Sequence, residues 1–421
     1  MLELDEQQCK VVTSEATNIL VVAGAGSGKT RVLTERIKHL LDIGVEPQNI
    51  VAITFTNMAA DEMKARLSDV NCIGDAFIGT IHSFANRIYK NSGEPYSIMT
   101  DEAEQLIYEE IFNKPKYSAL TIKRWLQYKD LQKQVDAGKL DEAAAQDFLL
   151  PSERNVLYTC EADFEAIRKR DHIITFDELL SYATEYYESL GASLEHLLVD
   201  EFQDIGTLEY KFIKALNAEH YFFVGDDYQA IYGFKGGNVD IFKGMCNRDK
   251  GFTTYFLNNN YRSCKEIIDL AEKVIAQVPD RIHKKAVIKN PNPGMVCIDS
   301  RHHTDRIAHI LNKDKENWRD WFVLTRTNKE AYQLADLLDD NGVNYCFINR
   351  SELTLEELQD AMKTNLVKIM TVHSAKGLEN SKVILFGNFP IQQPSYLRNN
   401  DERRVMYVGV TRAIDALYIF N

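Results

Sequence analysis

Eight residues, Ala23-Gly24-Ala25-Gly26-Ser27-Gly28-Lys29-Thr30, limit what this chain can fold into more than any other stretch. The apolar run Ile19-Leu20-Val21-Val22 leads straight into them, and a helical pattern leaves them with Leu33, Ile37, Leu40 and Leu41 on one face. Strand, glycine loop and helix, in that order, are the context a phosphate-cradling loop needs. Glycines let the backbone curl so that successive N–H groups converge on an anion, and the helix start adds the positive end of its dipole. Lys29 supplies a point charge for the β and γ phosphates, and the Thr30 hydroxyl suits Mg²⁺. Ala23 stands where the pattern usually has its first glycine. The expectation is a nucleotide site built from Gly24, Ala25, Gly26, Ser27, Gly28, Lys29, Thr30 and the adjoining Arg31, with ATP and Mg²⁺ as its ligands.

The chain has 421 residues, enough for two to four domains with ample core. No stretch approaches the ~20 uncharged apolar residues of a membrane span. Glu3, Asp5 and Glu6 are wrong for a secretory signal. The seven cysteines form no C-x-x-C pair, so zinc and iron–sulfur sites are not indicated, and their scatter fits a reducing, cytoplasmic location. With a net charge of −13, any nucleic-acid contact must come from a local basic or aromatic track and not from a global field.

Taken in order, Leu4-Asp5-Glu6-Gln7-Gln8 precedes the first strand. The amide of Gln8 can read an adenine edge, though a surface role suits it as well. Val51 to Phe55 reads as a second buried strand. Phe55, Thr56 and Asn57 after it suit base stacking and phosphate contacts, or a plain turn with Asn57 as helix cap. Gly79 to Phe84 is a third such junction, carrying His82 and Phe84. From about Ser92 to Arg170 the chain becomes rich in Glu, Lys, Gln, Ala and Tyr and reads as a helical insertion. Within it Lys123-Arg124, Trp125 and Tyr128 are candidate strand contacts, or simply solvated helix faces. Leu197-Leu198-Val199 then delivers Asp200 and Glu201, the first suited to Mg²⁺ and the second to polarising an attacking water. Another strand, Tyr221 to Val224, leads to Gln229, placed to sense a γ-phosphate. The glycine-rich loop beyond it carries Tyr232, Phe234 and Lys235, a composition that suits base stacking beside a phosphate; an ordinary aromatic turn fits it too. A second α/β unit starts near Phe256. It has a helix opened by Asn260-Tyr261-Arg262-Ser263, strands at 322–325, 345–348, 383–386 and 417–420, and the stretches 369–379 and 403–413. An Arg of this unit that faces a nucleotide held by the first can act as an arginine finger.

With these stretches in this order, the chain resembles the UvrD/Rep/PcrA-like helicases of superfamily one, over nearly its whole length. Gln8 looks like the Q motif, 23–30 like motif I, 53–67 like Ia, 79–84 like Ib and 197–204 like II. Residues 222–237 look like III, 257–263 like IV, 369–379 like V and 402–413 like VI. The resemblance implies an α/β fold of two RecA-like P-loop NTPase domains, parallel sheets flanked by helices, with a helical insertion in the first. Domain 1A would take 1–91 and 171–255, the insertion 1B 92–170, and domain 2A 256–421. It implies ATP clamped between 1A and 2A, with Gln8 and Tyr261 at adenine and Glu379 near the ribose. Lys29, Thr30 and Asp200 would hold phosphate and Mg²⁺, Glu201 would be the base, and Gln229, Arg262 and Arg412 would contact the γ-phosphate. Phe55, Thr56, Asn57, His82, Phe84, Tyr232, Phe234, Lys235, Thr371 and His373 would line a track for single-stranded DNA. Thr54-Phe55-Thr56-Asn57 and Tyr407 to Arg412 look like the 3′-to-5′ branch.

The departures from the family pattern are specific. Phe234 replaces a Trp, Gly233 an Arg, and Asn380 an aromatic residue. Domain 2B is absent, or reduced to about 350–367. Relatives touch duplex DNA with 2B, so its loss bears on strand separation and leaves ATP turnover and translocation in place. Three readings follow: a 3′-to-5′ translocase and helicase, a translocase that unwinds only with a partner such as a nuclease or a replication or repair protein, and an ATP-switched DNA-binding module.

Overall fold

The computed structural model describes residues 4–70, 73–136, 141, 148–248, 251–299, 305–350, 352–389 and 400–420. Continuous apolar runs make the strands that are buried on both faces of a parallel sheet. Strands β1 (Asn18–Ala23), β2 (Ile50–Thr54) and β3 (Phe77–Thr80) come first in the chain. The short β4 (Ser97–Ile98) and β5 (Ile173–Ile174) pair with each other in the insertion. β6 (His196–Val199), β7 (His220–Gly225) and β8 (Thr253–Leu257) then complete a six-stranded sheet in the order β3-β2-β6-β7-β1-β8. Every pairing in it is parallel.

After a two-residue pairing of β9 (Asn259–Asn260) with β10 (Val287–Ile288), a second sheet is built. Its strands are β11 (Met295–Asp299), β12 (Trp321–Thr325), β13 (Tyr345–Phe347), β14 (Val367–Thr371), β15 (Asn380–Phe386) and β16 (Ala413–Phe420), in the order β11-β16-β15-β12-β14-β13, again all parallel. Phe256, the expected start of the second unit, lies inside β8 of the first sheet. The sheets share apolar packing. Ala25, Met58, Tyr228 and Ile231 of the first half sit in one buried cluster with Ile267, Val372, Tyr407 and Val410 of the second.

Ala85–Gly191 forms a separate compact unit, wider at both ends than the 92–170 read from composition. Its helices Asp101–Phe112, Ile122–Asp136 and Pro151–Arg170 enclose a core of their own. Trp125 is 1% exposed and Tyr128 is also buried in that core, so neither is a strand contact. The guanidinium of Arg124 donates to Glu153 at 2.9 Å and to the Phe148 carbonyl at 2.6 Å.

Candidate active site and nucleic-acid track

The phosphate loop leaves β1 at Ala23 and enters helix α2 (Lys29–Asp42) through Gly28, whose φ of 85° lies in the left-handed region. The loop is braced from behind. The side-chain amide of Gln8 donates to the Ser27 carbonyl at 3.0 Å and that of Asn260 to the Ala25 carbonyl at 2.7 Å. The Tyr261 backbone N–H reaches the Gly26 carbonyl at 3.0 Å. Gln8 itself is positioned by helix α1 (Glu6–Val12), where it closes a capping box with Asp5. Asp5 in turn accepts from the Tyr261 hydroxyl, so both expected adenine residues belong to one hydrogen-bonded group.

At the end of β6, Glu201 adopts φ 50° and ψ 40°, an unusual left-handed conformation for a residue with a side chain. Lys29 Nζ lies 3.4 Å from Glu201 Oε2, and Thr30 Oγ1 donates to Asp200 Oδ2 at 3.4 Å. Burial and the adjacent Glu201 push the Asp200 carboxyl above the usual carboxylate range. Burial acts on Glu201 in the same direction, but Lys29 and Lys376 outweigh it and hold Glu201 below that range. A hydroxyl and one carboxylate are hard oxygen donors, a set that fits Mg²⁺ shared with substrate phosphates and waters. Among the described residues no His, Cys, Asp and Glu cluster of three or more offers an all-protein metal cage.

The opposite wall comes from the second sheet. Arg412 is buried, and donates from Nε to the Val408 carbonyl at 3.0 Å and from Nη1 to the Leu378 carbonyl at 3.1 Å. Burial, and then Arg262, lower its guanidinium to about 9. Arg262 forms an ion pair with Glu379 and donates to the Thr411 carbonyl at 3.2 Å. Gln229 donates from Nε2 to Asp226 Oδ2 at 2.6 Å. Gly24, Gly26, Ser27, Gly28, Lys29, Thr30, Arg31, Asp200, Glu201, Gln229, Tyr261, Arg262, Glu379 and Arg412 all line one cleft of about 910 Å³. That is the upper part of the size range of small-molecule sites.

Phe55 and Tyr232 line the same cleft and belong to an aromatic cluster. Phe55 and Tyr232 stack with centroids 4.7 Å apart, Tyr232 and Phe234 lie 6.2 Å apart, and Phe234 meets His373 edge-on at 5.4 Å. Phe234 is 67% exposed. Thr371 accepts from the Ser374 backbone N–H at 3.2 Å, which shapes the turn carrying His373. Thr56 caps helix α3 (Asn57–Arg66), so the cap is Thr56 and Asn57 is the first helical residue. His82 sits half-buried in the helix Ile81–Tyr89. Phe84 is a correction: it is 6% exposed and packs against Phe77 and Phe212, which leaves no ring face for a base. The side chain of Lys235 falls outside the described residues.

Family models match the same territory. The UvrD/REP helicase N-terminal domain matches residues 4–249, and the UvrD-like helicase C-terminal domain matches 255–353 and 345–421. This chain belongs to the UvrD/REP helicase family. Its relatives include the probable DNA helicase of Mycoplasma pneumoniae, 28% identical over 100% of this chain and 84% of that protein. DNA helicase II of Escherichia coli is 33% identical, over 81% of this chain and 51% of that protein. The ATP-dependent DNA helicase PcrA of Staphylococcus aureus is 27% identical, over 82% and 50%. The chain thus spans about half the length of the last two. The two parallel-sheet halves are the RecA-like domains of the UvrD/REP fold. Among the described residues no helix is long and apolar enough to cross a membrane.

Two cations of this site were not among the residues expected from the sequence. Lys376 is buried against Asp204, and Lys284 lies 2.6 Å from Asp226 and 2.7 Å from Asp227. Asp226 also accepts from Gln229, so Lys284 and the candidate γ-phosphate sensor share one carboxylate. Lys376 is marked in the sequence only by the glycine that follows it, and Lys284, between His283 and Lys285, carries no signal at all.

Proposed function

We propose that the chain is an ATP-dependent translocase on single-stranded DNA, moving and separating strands from 3′ to 5′. The observation that carries this reading is the loop 229–234. It sets Gln229 on the wall of the nucleotide cleft and Tyr232 and Phe234 in the aromatic cluster, within a few residues of each other. Lys29 and the loop bind the phosphates. Thr30 and Asp200 would hold Mg²⁺, which would supply positive charge against the negative charge that develops on the phosphates. Glu201, held as a carboxylate by two lysines, orients and deprotonates the attacking water. Arg262 and Arg412 present positive charge from the second half toward the transferred phosphoryl group. Phe55, Tyr232, Phe234 and His373 receive bases, and closure of the cleft on ATP shifts the two halves of that track past each other.

A second reading, in which strand separation needs a partner protein such as a nuclease or replication factor, is favoured by one observation. Among the described residues between β13 and β14 the helix Leu355–Lys363 is the only element, and the C-terminal family match breaks at 345–353. That supports the absence of the duplex-contacting 2B domain. The test is DNA-stimulated ATP turnover, with unwinding of 3′-tailed and 5′-tailed duplexes by the purified chain. Stimulated turnover and unwinding of 3′-tailed duplex only support the first reading. Stimulated turnover with no unwinding supports the second. Turnover indifferent to DNA overturns both.

A further inference from the structure

Lys376 follows β14 in the second half, yet each side-chain partner of its ammonium belongs to the first. It pairs with Asp204, donates to the Gln229 carbonyl at 2.9 Å, lies 3.6 Å from Glu201 Oε2, and sits 4.9 Å from the centroid of the Tyr232 ring. An ammonium has three donors and no acceptor, and a ring face within about 6 Å is within reach of a cation–π contact. Burial opposes the charge on Lys376, but Asp204 and Glu201 hold its ammonium up to about 12. Asp204 is itself buried, so withdrawing the ammonium would leave a carboxylate without compensation in a dry site. The same turn holds Tyr232 by its other end, because the Tyr232 hydroxyl donates to the His373 carbonyl at 3.3 Å. The ring is therefore gripped by the 373–376 turn at its face and at its tip.

We propose that Lys376 is a positioning residue that ties Glu201, the water-activating carboxylate, to Tyr232, the stacking ring, so that nucleotide state and strand position change together. This rests on the translocase reading above. Lys29 and Lys376 now share Glu201, at 3.4 and 3.6 Å. Arriving phosphates draw Lys29 away, which leaves Lys376 and the Gln203 amide, 2.5 Å from the same oxygen, as the groups that hold Glu201. Any adjustment of Lys376 toward Glu201 moves the turn, and the turn moves Tyr232. In the reverse direction, a base that displaces Tyr232 pulls on the cation beside Glu201. Coupling of two sites through one shared element is reciprocal in binding free energy.

The experiment measures the affinity of the full chain for a fluorescein-labelled oligo(dT), with and without a non-hydrolysable ATP analogue and Mg²⁺. The readout is the ratio of the two affinities. Lys376→Met combined with Asp204→Asn removes both buried charges together and so avoids an orphaned carboxylate. The wild-type ratio is expected to lie roughly between 5 and 150, and to fall to about two or less in the double variant. A double variant with a wild-type melting temperature and a wild-type ratio overturns the inference, as does one that lowers both affinities equally, the mark of a merely structural role. Lys376→Arg keeps the charge and is expected to keep the ratio, so a folded Lys376→Arg chain that loses it also overturns the inference. A ratio of one in the wild-type chain is distinguishable from these, because it removes the translocase reading itself.

Discussion

Phe55 and Tyr232 lie ring on ring, with centroids 4.7 Å apart and planes 22° from parallel. A base can enter between them only if they separate by one further aromatic layer. Each base–aromatic contact is worth roughly 1–3 kcal/mol. Tyr232→Ala and Phe55→Ala are therefore each expected to weaken oligo(dT) binding by about that amount. Because the rings touch, the double variant should lose less than the sum. Fluorescence anisotropy titrations of the three variants give the answer.

Phe234 is mostly exposed, meeting the edge of His373 at 5.4 Å and the Tyr232 ring at 6.2 Å. Phe234→Trp should be tolerated, since nothing confines the larger ring on its open side. Phe234→Ala should raise the number of ATP molecules hydrolysed per nucleotide travelled. Translocation rate divided by ATPase rate, on the same single-stranded DNA, is the measurement. An unchanged ratio would remove Phe234 from the track.

Lys29→Ala and Glu201→Gln should both abolish ATP turnover while differing in nucleotide affinity. The first removes the cation nearest the phosphates and weakens binding. The second keeps Lys29 and Thr30 and replaces only the carboxylate that Lys29, Gln203 and Lys376 surround. Binding of a fluorescent ATP analogue should fall in Lys29→Ala and persist in Glu201→Gln, with the latter retained on DNA.

On the proposed function Arg412 has two jobs, and one substitution will expose them together. Its guanidinium bonds the Val408 and Leu378 carbonyls inside the protein and also lines the nucleotide cleft. Arg412→Ala should lose on the order of 10³-fold or more in turnover. Losing the hydrogen bonds of a buried guanidinium should also destabilise the fold by about 1–3 kcal/mol. Steady-state kinetics and urea unfolding of the same preparation separate the two losses.

His196 predicts a pH dependence away from the cleft. It stacks on His220 at 4.6 Å across β6 and β7, with Glu195, just before β6, 3.5 Å away. Burial first, then His220 and Arg36, lower its imidazole to about 4. The folded value is below the ordinary one, so the fold prefers the neutral ring. That contribution is complete above the ordinary 6.5 and is lost as pH falls from there through about 4. The melting temperature should drop across this window, and His196→Phe should flatten that part of the curve.

Features held by neighbouring residues were legible in the sequence. The phosphate loop, Asp200 and Glu201 each sit where an apolar strand ends, and the strand itself fixes their direction. Features set by residues far along the chain were not. Phe84, Trp125 and Tyr128 have the chemistry of strand contacts, and only packing within their own units makes them core. Thr56 and Asn57 are both good caps, and the backbone angles decide for Thr56. Lys376 and Asp204 are 172 residues apart, so neither announces the other.

The bracing of the phosphate loop has a consequence for how this chain can diverge. A methyl group on Gly26 would meet Arg262 Cβ at 2.7 Å, and one on Gly28 would meet the Gln8 amide nitrogen at 2.9 Å, whereas one on Gly24 has nothing nearer than 3.9 Å. Both crowded glycines also have positive φ, 67° and 85°. Drift in the loop is thus open at positions 23 and 24, where Ala23 already departs from the pattern, and shut at 26 and 28. What shuts it there is Arg262 and Gln8, far apart in the chain, so the tolerance of the phosphate loop to change is inherited from residues that lie outside it.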